Sequence, residues 1–340
     1  MPLIIPLFIP QEGCPHTCVF CNQHHISQKN KFLGPQEVQE EIKHWLALVH
    51  KSTDKHVQVA FYGGTFTGLP LARQSELLQA VQPFLAQNLV TSIRLSTRPD
   101  TIEPSNLALL KQYGVTCVEL GVQSCCDSVL EKSKRGHSLA DIRAASRMVR
   151  SSGLSLGWQL MLGMPGETFS AIRKTVEETI IHRPDCLRIY PLLVVRDSPL
   201  EAQWRKGLFT PLSLKKAVLY AAYMKSHFDT HKLTIIRIGL QASDGIEQSL
   251  LAGPYHPAFG EMVSSRMMLK ETRKILADQD ASSHCSLTIS PKDHSIFIGN
   301  RQSNLKRLQA LGLNERFSLN FEKNLPRHTL RVGNSSIFTS

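Results

Sequence analysis

The chain predicts an α/β fold: a partial, TIM-like (βα)6 barrel followed by a C-terminal α/β extension. Two observations carry that expectation. From the N-terminus to about residue 200, short apolar runs of strand character alternate with stretches of helical period. Strict alternation of this kind builds a parallel sheet. The residues able to do chemistry also cluster at the ends of these runs. Cysteines follow the first, Gly-Gly-Thr the second, Ser-Thr-Arg-Pro-Asp the third, Gly-Val-Gln-Ser the fourth and Gly-Met-Pro-Gly-Glu the fifth. In a parallel barrel the C-terminal strand ends share one rim, and active sites assemble there.

The elements follow in order. Leu3–Ile9 reads as a buried strand; residues 1–10 hold three prolines but no basic segment or small-residue cleavage site, so they do not read as a leader. Pro35 opens a helix whose apolar residues Val38, Ile42, Trp45, Leu46 and Val49 recur at helical spacing. Strands are expected at Val57–Tyr62, Ser92–Ser96, Val115–Leu120, Ser155–Leu162 and Cys186–Tyr190. Helices are expected at Leu71–Ala86, Asn106–Tyr113, Ser138–Arg150 and Ser170–His182, two of them stopped by Gly114 and Gly153. Beyond residue 200 the rhythm changes to helix 214–228, strand 233–240 and helix 260–276. A break at 278–284 precedes a small module: strands 285–290 and 295–299, a helix from Ser303, then two short strands. The expected units are a core barrel at 1–200, an extension packed on it at 201–277, and a basic α/β module at 285–340.

Bulk properties exclude several classes. No stretch reaches the roughly 18 apolar residues of a membrane helix, and 340 residues with eight cysteines are too long and too Cys-poor for a secreted disulfide scaffold. A cytoplasmic protein with reduced thiols is expected. Lys and Arg exceed Asp and Glu by 39 − 28 = 11, which favours a polyanionic partner, nucleic acid first.

Cys14, Cys18 and Cys21 stand apart from the five scattered cysteines, spaced C-x3-C-x2-C within GCPHTCVFC. Structural zinc sites close with four ligands and catalytic ones with three plus water, and His16, His24 and His25 stand near as a fourth. A cuboidal iron–sulfur cluster normally takes four cysteines. Three would leave one iron open to a cofactor that chelates through an amine and a carboxylate, as S-adenosylmethionine does.

This pattern, with Phe20 before the last cysteine, resembles the signature of the radical S-adenosylmethionine superfamily. YGGTF at 62–66 resembles the family's glycine-rich segment that meets the methionine amino group, with Thr65 where glutamate is usual. LSTRPD at 95–100, ELGVQS at 119–124 and KRGHS at 134–138 resemble the catalytic subunit of Elongator and its smaller bacterial relatives. IYPLLVVRDSPLEAQW at 189–204 resembles the extension of those relatives and of proteins similar to oxygen-independent coproporphyrinogen oxidases. Elongator's acetyltransferase domain has no counterpart in the last 65 residues.

The resemblance implies that Cys14, Cys18 and Cys21 hold a 4Fe–4S cluster whose fourth iron binds S-adenosylmethionine. One electron then yields methionine and a 5′-deoxyadenosyl radical, which abstracts hydrogen from the substrate. It implies cofactor contacts from Gly63, Gly64 and Thr65, and from Ser96, Arg98 and Gln123. A low-potential donor such as flavodoxin or ferredoxin is the implied electron source. The substrate expected is RNA, specifically tRNA; the alternative is a tetrapyrrole or another carboxylated metabolite. Tyr255 and His256, in the rigid turn GPYHP, are the candidate hydrogen or proton donors. His137 in RGH reads as a structural hydrogen bond. The segment IFIGNRQSNLKRL at 296–308 resembles a KH module, with Gln302 at the second glycine of the GXXG loop.

Overall fold

The computed structural model describes residues 3–22, 33–48, 56–241, 243–280, 284–333 and the main chain of 335–338. Val49, His24 and His25 lie outside the described residues.

The main sheet is built in chain order. Strand β1 (Leu3–Phe8) leads through the cysteine loop to helix α1 (Pro35–Leu48) and β2 (Val57–Tyr62). Helices α2 (Leu71–Gln79) and α3 (Gln82–Ala86) precede β3 (Ser92–Thr97); α4 (Pro104–Gln112) precedes β4 (Val115–Gln123). Next come α5 (Asp127–Lys132), α6 (Leu139–Ser151), β5 (Ser155–Leu162), α7 (Phe169–His182) and β6 (Cys186–Pro191). The chain then forms β7 (Val194–Val195), α8 (Pro199–Arg205), α9 (Leu214–Thr230) and β8 (Ile235–Ile238). The sheet order is β1-β2-β3-β4-β5-β6-β8, parallel throughout. The barrel therefore takes a seventh strand from the expected extension.

Local chemistry accounts for the boundaries. Ser138 caps α6 in a reciprocal box with Asp141, and Thr168 caps α7 by accepting from Ala171. Pro104 and Pro199 open α4 and α8, where no helical N–H is lost. The expected single helix 71–86 divides at Ala80–Val81, one residue before the second helix starts, because Pro83 fits only a first turn.

The strands alternate sharply between two faces. Val59, Phe61, Ile93, Leu95, Val118, Leu120, Leu156, Trp158, Leu187 and Ile189 point to the helices and share one core with residues of α2, α6, α7 and α9. Each such side chain contributes about 1.5–3 kcal/mol by burial. Tyr62, Arg94, Glu119, Gln159 and Arg188 occupy the opposite face. Arg188 on β6 donates to the Tyr62 hydroxyl on β2 at 2.6 Å, four strands away. At the usual strand spacing of about 4.8 Å, flat geometry would hold these strands roughly 19 Å apart. The sheet is curled into a half-barrel, and the polar face is its concave side.

After β8 come α10 (Asp244–Ser249), β9 (Leu250–Ala252), which pairs with β7, and the long helix α11 (Phe259–Ala277). The C-terminal unit comprises β10 (Cys285–Ile289), α12 (His294–Ile298), α13 (Ser303–Ala310), β11 (Phe317–Phe321), β12 (Thr329–Val332) and β13 (Ser335–Phe338). Its sheet runs β11-β10-β12-β13, with β10 and β11 parallel. Leu287, Ile289, Ile296, Phe297 and Leu330 pack on Met268, Ile275 and Leu276 of α11. The expected strand at 295–299 is instead the helix α12. Five residues fit either period, and the turn Pro291–Asp293 before them, with Ile296 and Phe297 both buried, selects the helix. Among the described residues no helix is long and apolar enough to cross a membrane.

Candidate functional site

Because the strands run parallel, the turns after β1 to β5 meet on one rim. The cysteine loop follows β1 and packs against the Gly63–Gly68 turn after β2 through close main-chain contacts. A Cβ on Gly64 would lie 2.4 Å from the Ile9 carbonyl oxygen and 2.5 Å from that of Glu12. A Cβ on Gly13 would lie 2.2 Å from the Thr65 carbonyl oxygen. Gly63 takes φ +95°. The glycines of this turn thus seat one loop on the other.

Each cysteine has its own surroundings. Thr65, almost fully buried, places its hydroxyl 3.1 Å from the Cys14 sulfur. Burial raises the Cys14 thiol, and the Thr65 bond opposes that rise. Cys18 is buried and accepts from Arg135 Nη1 at 3.0 Å. Burial, with the Cys18 and Cys14 sulfurs adding to it, pushes Cys21 up to about 12. The Cys18 sulfur adds to the rise of both neighbours, and sulfurs crowded in this way form a donor set suited to a cationic centre among them. Among the described residues no three His, Cys, Asp or Glu groups converge on a single metal ion. In a cluster each thiolate ligates a different iron.

The RGH stretch supports this loop. Besides Cys18, Arg135 donates to the Gly121 carbonyl at 2.7 Å. Gly136 lies under His16, whose ring atoms a Cβ there would meet at 2.2 Å. His137 is buried beside Arg135 and Arg98; burial first, then those charges, hold its pKa down to about 2. Neutral His137 lies with Nε2 3.4 Å from the Val122 carbonyl, a structural bond.

The remaining candidates divide. Arg98 is buried, forks onto Asp100 at 2.9 and 2.8 Å, and donates to the Arg135 carbonyl. Its Nη1 is 4.0 Å from Cys18. Ser96 accepts from Gln159 at 2.7 Å. Gln123 sits at φ +65° with its Oε1 buried without a partner and its Nε2 close to Gly121. Buried Arg135 Nε is likewise unpartnered. Such orphaned polar atoms fit a polar ligand that is bound in use. Tyr255 and His256 take partners from their own neighbourhood. Tyr255 donates to Glu247 at 3.0 Å, and His256 Nδ1 accepts from the Ala258 amide while its Nε2 faces Asn300. None of these partners belongs to the cysteine site.

Sequence reasoning missed the network beneath the rim. Glu119, 1% exposed, is bound by Arg188 at 2.6 and 3.1 Å, by Arg94 at 3.1 Å and by Gln159 at 3.0 Å. Burial alone would raise its pKa; the two arginines overcome that and hold it below the ordinary value. Gly157 on β5 leaves the room, since a Cβ would lie 2.8 Å from Glu119 Cγ and 2.9 Å from Cys186 Sγ. Arg94 also reaches the Cys117 sulfur at 3.3 Å. The available signal was a charge in the middle of an apolar strand, at 94, 119 and 188.

Comparison with known proteins decides the family. The model of the radical SAM superfamily matches residues 8–179, and that of the Radical_SAM C-terminal domain matches 184–269. The chain belongs to the radical SAM superfamily. It is a radical SAM enzyme by that membership, which implies a 4Fe–4S cluster and S-adenosylmethionine. The chain is 31% identical over 201 residues to the tRNA uridine(34) acetyltransferase of Methanocaldococcus infernus, across 53% of this chain and 38% of that protein. It is 27% identical over 252 residues to the uncharacterized protein MJ0486 of Methanocaldococcus jannaschii, across 71% of this chain and 76% of that one. Among solved structures, the archaeal Elp3 of Methanocaldococcus infernus superposes with a TM-score of 0.62 at 22% identity, over 79% of this chain and 63% of that one. The chain thus spans well under half the length of the acetyltransferase it matches.

Proposed function

We propose that this radical SAM enzyme modifies a nucleoside of tRNA. The similarity to the tRNA uridine(34) acetyltransferase carries this reading. It covers 38% of that protein, so the reading takes the RNA substrate and leaves acetyl transfer aside.

Cys14, Cys18 and Cys21 are assigned as the cluster ligands. When bound, the cluster with S-adenosylmethionine supplies one-electron cleavage to a 5′-deoxyadenosyl radical, the electron coming from a carrier such as flavodoxin or ferredoxin. Arg135 and Thr65 orient the Cys18 and Cys14 sulfurs and compensate their charge. Gln123, with its free buried oxygen, and Ser96 are assigned to the cofactor's polar groups, and the Gly63–Thr65 turn to its amino end. Arg98 acts through Asp100 and the Arg135 carbonyl, as a support of the cysteine loop. The curled sheet and its helices exclude water from the rim. Beneath it, Glu119 occupies Arg94 and Arg188.

The test is anaerobic incubation of the reconstituted protein with S-adenosylmethionine, a reductant and total tRNA, followed by nucleoside mass spectrometry. A changed nucleoside that disappears in Cys18→Ala is expected. Unchanged tRNA, with 5′-deoxyadenosine released only when a carboxylated metabolite is added, would overturn the reading.

A further inference from the structure

The C-terminal unit carries a surface that the barrel chemistry leaves unused. Helices α12 and α13 lie between the parallel strands β10 and β11, joined by Gly299-Asn300-Arg301-Gln302. Three of these four residues are left-handed: Gly299 at φ +80°, Arg301 at +51° and Gln302 at +60°. A Cβ at 299 would lie 2.6 Å from Ser303 Oγ and 3.0 Å from Asn304. Buried Asn304 fixes the turn, its amide nitrogen 3.0 Å from the Ser265 carbonyl and hydroxyl oxygens and 3.0 Å from the Phe297 carbonyl. The turn is therefore set on α11 before any ligand arrives.

Its charge is one-sided. Between residues 291 and 310, Lys292, Arg301, Lys306 and Arg307 are exposed, while Asp293, the sole acid, is buried and paired with Arg327 at 3.0 Å. A cavity of about 500 Å³ opens beside the turn, lined by His256, Glu261, Met262, His294 and residues 299–302. The His294 ring meets Phe321 edge-on, with centroids 5.3 Å apart. Phe321 is 50% exposed, on the edge strand β11. One cation on a fixed turn, two more on the helix that follows it, and an exposed ring packed on His294 at the same cavity suit a single strand: the backbone follows the cations and a base stacks on the ring.

We propose that the Gly299–Gln302 turn, with Arg301, Lys306, Arg307 and Phe321, clamps single-stranded RNA. The inference rests on the tRNA reading and names the surface that would present the substrate.

The test uses the full chain and a short labelled oligouridine, followed by fluorescence anisotropy across a salt series, with a duplex of equal length as comparison. The wild type binds the single strand more tightly than the duplex. The triple variant R301E/K306E/R307E binds more than about tenfold more weakly, and its salt slope falls by about 2, as three lost phosphate contacts require. Phe321→Ala weakens binding about tenfold and leaves the slope unchanged. Unchanged affinity and slope in the triple variant would overturn the clamp, as would preference for the duplex. Binding with the predicted pattern but no modified nucleoside would overturn the tRNA reading and leave the clamp standing. A modified nucleoside with unaltered RNA binding in the triple variant would do the reverse.

Discussion

The Arg135 guanidinium donates to the Cys18 sulfur at 3.0 Å, across 117 residues of sequence. The buried arginine thus ties the RGH stretch to the central cysteine. Arg135→Ala is predicted to lose about 1–3 kcal/mol of stability through the unpaired groups it leaves. It should also lower the reduction potential of the reconstituted cluster, because a hydrogen bond to a ligating sulfur favours the reduced form. Arg135→Lys should recover part of the shift. A redox titration followed by electron paramagnetic resonance measures it.

Thr65 offers the same comparison at Cys14. Thr65→Val keeps the shape and removes the hydroxyl at 3.1 Å; Thr65→Ser keeps the hydroxyl. The valine variant is predicted to shift the cluster potential in the direction of Arg135→Ala, and the serine variant to stay near wild type. Equal potentials in all three proteins would remove Thr65 from the site.

The Glu119 network is predicted to control stability. Glu119→Gln leaves Arg94 and Arg188 buried with no counter-charge, at a cost of about 3–5 kcal/mol. Adding Arg188→Met removes one of those stranded charges, so the double variant should be more stable than Glu119→Gln alone. Denaturant unfolding of the three proteins gives the comparison.

Glu167, in the turn after β5, is predicted to make stability depend on pH. Burial pushes it up to about 8, despite the amides of Gly163 and Met164 that favour its charged form. The folded state therefore holds a proton that the unfolded chain releases near pH 4.5. Its contribution is fully present below pH 4.5 and is lost as pH rises through about 8. Glu167→Gln should abolish that slope between pH 5 and 8, read from thermal unfolding at a series of pH values.

Much of this was legible in the sequence. The parallel sheet followed from alternation, and the cysteine loop from spacing, because both are local patterns. The charges at 94, 119 and 188 were visible too, since a charge within an apolar strand must find a partner when buried. Their pairing was not visible: Arg188 meets Tyr62 only because the sheet curls, and strand spacing alone forbids that contact. The Arg135–Cys18 bond was hidden for the same reason, being set by tertiary approach and not by spacing. The glycines at 63 and 64 were recognisable as a close approach, but the structure shows Gly64 meeting the Ile9–Glu12 main chain. The helix at 294–298 was misread because five residues carry too little period to separate helix from strand.

The most direct test of the central claim is anaerobic reconstitution with iron and sulfide. It is followed by metal analysis and by an assay of 5′-deoxyadenosine after adding reductant, S-adenosylmethionine and tRNA. About four irons per chain and release of 5′-deoxyadenosine by the wild type are expected, with both lost in Cys18→Ala. Bound zinc in place of iron, or an intact cluster in Cys18→Ala that still cleaves S-adenosylmethionine, would contradict it.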